Sequence, residues 1–154
     1  MYMHGSRGLV LFIAAAMLGM ACKDDKSTNV PGAEVFNATL NGANERPTPV
    51  STTAAGTATV TISGDSITWT VNITSAIDSV FIGHIHKGGA NDAGGVIQSL
   101  SPTPTGIGFT GLLASGSVVP PDSVLTLMRA GNAYVNIHTK AHTGGEIRGQ
   151  LVKQ

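Results

Sequence analysis

Between Thr57 and Thr74 the chain alternates with a period of two. Ala58, Val60 and Ile62 interleave with Thr57, Thr59 and Thr61. Beyond Gly64-Asp65, Ile67, Trp69, Val71 and Ile73 interleave with Thr68, Thr70, Asn72 and Thr74. Successive side chains of a strand point to opposite faces, so each run presents one apolar and one polar face. The Gly-Asp pair between the runs suits a tight turn. The pattern predicts a β-hairpin with one buried face, on which Trp69 serves as a core anchor.

Similar runs recur along the chain. Phe36, Ala38 and Leu40 alternate with Asn37 and Thr39 in a strand from Val35 to Asn41, followed by a loop from Gly42 to Thr53. A strand over Ser79–His86 is apolar on both faces in its first half, which predicts a central place in a sheet. After the glycine-rich stretch 88–95 come a short strand, Val96–Leu100, and a longer one, Ile107–Val118, with a bend near Gly111. Val124, Leu127 and Met128 fall at helical spacing, with Asp122 placed to cap the start and Gly131 the end of one short helix. Strands over Ala133–Thr139 and Glu146–Val152 close the chain. All seven prolines lie outside the strand interiors, as their missing N–H requires. With 5% aromatic and 12% charged residues, this is an all-β, turn-rich composition, and many short strands predict an antiparallel sandwich or barrel.

The N-terminus is built differently. Arg7 precedes an apolar run from Leu9 to Met20, and Ala21-Cys22 follows. This is the layout of a secretory signal over residues 1–21, too short for the ~20 residues of a membrane-spanning helix. With the only cysteine directly behind it, the segment resembles a bacterial lipoprotein signal, which implies lipidation at Cys22 and a membrane anchor. The alternative is an ordinary cleaved signal; both predict export to the cell envelope or beyond. Residues 22–33 are polar and aperiodic and read as a flexible tether, leaving 34–154 as one domain. A single cysteine forms no intramolecular disulfide, so stability must come from the core or from a bound ligand.

The formal net charge is zero and no basic stripe appears, which argues against a nucleic-acid partner. There is no Gly-x-Ser-x-Gly elbow for a serine nucleophile and no phosphate-loop lysine. A non-enzymatic module binding a protein or surface ligand is the expectation.

Four of the five histidines lie in two segments, His84-Ile85-His86 and Asn136 to His142. In a strand His84 and His86 share a face, with backbones ~7 Å apart. His138 sits on the polar face of its own strand with Tyr134 and Asn136. If the two strands are neighbours, the three imidazoles meet at one point.

Four blocks in order then carry a resemblance: Phe36-Asn-Ala-Thr-Leu-Asn-Gly-Ala-Asn-Glu-Arg-Pro47, Gly83-His-Ile-His-Lys-Gly88, Ala133-Tyr-Val-Asn-Ile-His-Thr139 and Gly145-Glu-Ile-Arg-Gly-Gln-Leu151. Together they resemble the chordin-type, or CHRD, domain over about Glu34 to Val152. The resemblance implies an immunoglobulin-like β-sandwich found in secreted proteins, and a fold more than a function. The His-x-His strand with its glycine loop is also similar to copper/zinc superoxide dismutase. That family's disulfide cysteines and longer zinc-binding loop are missing here, which argues against redox enzymology.

Two readings of the histidines stand together. In one, His84, His86 and His138 bind zinc or copper, with Asp92 and Glu146 adding oxygens or outer contacts. In the other, the histidines join Asn136, Glu146 and Arg148 in a structural polar cluster that satisfies its own hydrogen bonds. Glu45 and Arg46 read as a surface or structural ion pair.

Overall fold

The computed structural model describes Met1 and residues 32–154. The signal segment, Cys22 and most of the tether lie outside the described residues. The domain contains β1 (Glu34–Asn41), β2 (Ala55–Ser63), β3 (Ser66–Ile77), β4 (Val80–Lys87), β5 (Val96–Ser99), β6 (Phe109–Val118), helix α1 (Asp122–Arg129), β7 (Ala133–Thr139), β8 (Ile147–Gln150) and β9 (Val152–Lys153). Among the described residues no helix is long and apolar enough to cross a membrane.

The hairpin forms as its alternation predicts. Ser63 pairs with Ser66, leaving Gly64-Asp65 as a two-residue turn, and Val60 stands opposite Trp69. Gly64 has φ +62°, the left-handed conformation required at the first position of a type II′ hairpin turn. Val60, Ile67 and Val71 are fully buried on the apolar face.

All strand pairs are antiparallel. The path runs β5-β4-β7-β8-β1-β2-β3-β6, with β9 beside β1 off this line. The all-β, sandwich-like class with one helix is therefore as expected, and both layers belong to one continuous curled sheet. A single contact shows the curl. Trp69 on β3 donates its indole N–H to the carbonyl of Leu100, just beyond β5, at 3.2 Å. β3 and β5 stand near opposite ends of the path, so the sheet folds over until its two halves share a core. Gly116 on β6 makes room for this anchor, because a Cβ there would lie 2.5 Å from the Trp69 ring. From the other half Ile85, Val135, Ile137 and Ile147 enter the same core, all fully buried. Each such side chain contributes ~1.5–3 kcal/mol by leaving water.

Three local expectations are corrected. Asp122 does not cap α1: it is the first helical residue, the N-cap is Pro121, and no side chain caps the helix. Its C-terminus closes as expected on Gly131, at φ +72°. Gly131 N–H donates to Met128 and Asn132 N–H to Leu127, the bonding pattern of a Schellman motif. The last strand is not continuous. β8 and β9 are separated at Leu151, which turns into the core while its N–H donates to Ala133. Glu146 precedes β8 instead of opening it.

Candidate metal centre

Pairing between β4 and β7 sets the site. Ile82 stands opposite His138, His84 opposite Asn136, and His86 opposite Tyr134. On the other edge of β7, Asn136 faces Arg148 and Tyr134 faces Gln150 of β8. Alternation sends Ile85, Val135 and Ile137 to the core and His84, His86, Tyr134, Asn136 and His138 to the opposite face, which Ile82 shares. That face is not left to solvent. Every residue of β7 is buried, because loops 42–50, 88–95 and 140–146 supply contacts over its polar side, from Glu45 to Asn136, Gly94 to Tyr134 and Thr143 to His138.

The three histidines converge. His138 lies diagonally across the strand pair from His84, within reach of a ring. One nitrogen from each of His84, His86 and His138 lies within 4.8 Å of the others. His84 Nδ1 and His138 Nε2 are 3.3 Å apart, close to the ~3.4 Å separation of two ligands on a tetrahedral zinc with bonds of ~2.0–2.1 Å. Phe81 borders the group, its ring centroid 6.5 Å from that of His138.

Proton positions follow from the partners. His86 Nδ1 is 2.8 Å from the Gly94 carbonyl oxygen and His138 Nδ1 is 3.0 Å from that of Thr143. A carbonyl only accepts, so both Nδ1 atoms carry hydrogen and both Nε2 atoms hold lone pairs in the neutral rings. Outer hydrogen bonds of this kind orient metal-ligating histidines. The His86 Nε2 lone pair is buried and has no hydrogen-bond partner. Without a metal, His84 Nδ1–H donates to His138 Nε2; with one, His84 Nδ1 is free to turn its own lone pair inward.

Burial keeps these rings neutral. It pushes the His84 pKa down to about 4, helped by the charges that His138 and His86 would carry. Burial also lowers His86 and His138, each against the opposing pull of its carbonyl bond. Neutral imidazole is the metal-binding form. Three such donors suit zinc or copper and do not suit the oxygen-seeking magnesium or calcium.

A clamp surrounds His86. The Tyr134 ring stacks on it, with centroids 5.1 Å apart and planes 11° from parallel. On Tyr134 sits the Arg148 guanidinium, 3.4 Å from the ring centre. Tyr134 Oη accepts from Gly94 N–H at 3.0 Å, and Arg148 Nη2 donates to the Gly89 carbonyl at 2.8 Å.

The remaining expected site residues are placed elsewhere. Asp92 is exposed, and its carboxylate accepts from Gly89 N–H inside the loop. Glu146 accepts from the hydroxyls of Thr52 and Thr139. Neither carboxylate belongs to the group in which the three histidines converge. The structural cluster is divided as well. Asn136 and Arg148 share the polar face, whereas Glu146 precedes the strand and meets Thr139 at the end of the core layer. Glu45 and Arg46 form no ion pair: Arg46 donates to the carbonyls of Ala43 and Glu45. Glu45 itself is 3% exposed and accepts from Asn136 Nδ2 at 3.2 Å. Burial raises its pKa to about 7 against the opposing influence of Asn136, Arg148 and Arg46. It borders a cleft of about 260 Å³ that also involves Pro47 and His142. Nothing in the local pattern marks Glu45 as buried, because a loop and not a strand carries it there.

A family model described as CHRD domain matches residues 36–151. No curated protein and no solved structure matches the chain.

Proposed function

The chain belongs to the CHRD-domain family, and from that premise we propose an exported, lipid-anchored, non-enzymatic binding module that holds a zinc or copper ion between His84, His86 and His138. Family membership supports the binding-module part. The observation that carries the metal is the convergence of one nitrogen each from His84, His86 and His138 within 4.8 Å, together with a buried His86 Nε2 that has no partner. A buried polar atom without a partner costs ~1–3 kcal/mol, and of the unpartnered buried atoms on this face only His86 Nε2 belongs to the histidine group. A metal ion supplies that partner.

The test is metal analysis of protein purified without a histidine tag, beside the His84→Ala/His86→Ala double variant. Wild type is expected to hold about one equivalent and the variant close to none; equal contents would remove the proposal. The anchor rests on the 1–21 segment and Cys22. Cys22→Ala is expected to move the protein from the membrane fraction to a soluble extracytoplasmic one. Retention at the membrane would leave export without lipidation at Cys22.

A further inference from the structure

Free histidine side chains favour the tautomer with hydrogen on Nε2. His86 holds the other one. Its Nδ1–H donates to the Gly94 carbonyl at 2.8 Å, and its Nε2 is bare. Whatever fixes the Gly94 carbonyl therefore decides which nitrogen His86 offers to a metal.

Two side chains fix it. Gly94 N–H donates to Tyr134 Oη at 3.0 Å, and Tyr134 O–H donates back to the Gly94 carbonyl at 3.3 Å. At the other end of the loop, Arg148 donates to Gly89 while its guanidinium carbon sits 3.4 Å over the centre of the Tyr134 ring. The loop passes so close to β4 that a Cβ on Gly94 would sit 1.8 Å from the Lys87 carbonyl oxygen. Only glycine permits that approach. We propose that Tyr134 and Arg148 are positioning residues of the metal site: clamping Gly88–Gly95 at both ends, they make the Gly94 carbonyl select the Nδ1–H tautomer of His86. This rests on the metal reading for its purpose, but the tautomer is a property of the metal-free protein. Outer partners of metal-binding histidines commonly set affinity by about 10–100-fold.

Tyr134→Phe keeps the ring and its stack on His86 and removes only the hydroxyl. In metal-free, ¹⁵N-labelled, untagged protein, long-range ¹H–¹⁵N correlation reads the His86 tautomer directly. Wild type is expected to show Nδ1–H, and Tyr134→Phe to shift toward Nε2–H. Zinc affinity by chelator competition is expected to fall about 10–100-fold. Arg148→Lys keeps the charge but loses the planar stack and fork; it is expected to shift the tautomer in the same direction, and it decides the matter if Tyr134→Phe does not fold. A folded variant that keeps the Nδ1–H form overturns the proposal, whatever zinc does. A tautomer shift in a protein that binds neither zinc nor copper upholds the positioning role and removes the metal reading instead.

Discussion

Glu45 and the three histidines titrate against folding in opposite directions. Burial holds the histidine pKa values below the ordinary imidazole range, His84 at about 4. Between that value and ~6.5 the unfolded chain binds protons that the folded chain refuses, so in this window stability falls as pH falls. Glu45 is raised to about 7. Its contribution is complete below the unfolded carboxyl pKa near ~4.3 and is lost as pH rises through 7. Glu45→Gln separates the two effects. Glutamine can still accept from Asn136 Nδ2, and it never ionises. Relative to wild type, the variant is expected to gain ~1–3 kcal/mol at pH 8 and little or nothing at pH 4.5. Because the histidines are common to both proteins, the difference isolates Glu45. Denaturant unfolding at the two pH values measures it, and a gap that does not change with pH would contradict a buried, ionising carboxyl.

At the scale of elements, what the sequence reveals depends on whether a side chain's surroundings come from its own strand. The β2–β3 hairpin is legible because alternation and a Gly-Asp turn are local properties, and Trp69 lies on the buried face for the same reason. His84 and His86 are legible as a same-face pair, and Tyr134, Asn136 and His138 as another, since both follow from a period of two. The β4–β7 register that places His138 diagonal to His84 is a long-range pairing that local periodicity leaves open. Loop residues are the least legible. Glu45 and Arg46 look like a surface pair, yet the turn at Gly42–Asn44 sends Glu45 under the sheet to Asn136. Asp92 looks like an oxygen ligand, yet its carboxylate satisfies a backbone N–H two glycines from the strand. The Gly94 and Thr143 carbonyls, which set two imidazole tautomers, leave no trace in side-chain chemistry. The period-two pattern of the last strand runs on through Glu146, whereas β8 begins only at Ile147.

Across the whole molecule, the site and the anchor of the core lie in different halves of one sheet. The histidines occupy β4 and β7; Trp69, the only tryptophan, lies on β3. The hydrogen-bonded path joins these halves, and so does the shared core containing Trp69, Ile85 and Val135. Small single domains generally unfold in one cooperative step. A ligand that binds only the folded state must therefore stabilise the whole domain, including strands it never touches. Zinc at a hundredfold excess over its dissociation constant adds ~2.7 kcal/mol, which for a domain of this size raises Tm by on the order of 10 °C. Trp69 emission provides a reporter on β3, a strand that carries none of the three histidines, and far-UV circular dichroism reports the sheet as a whole. Both transitions are expected to move upward together with zinc in wild type, and neither in His84→Ala/His86→Ala. A shift of equal size in the double variant would assign the effect to some other zinc site. If the circular dichroism transition moves and the Trp69 transition does not, the two halves unfold separately and the continuous sheet does not act as one cooperative unit.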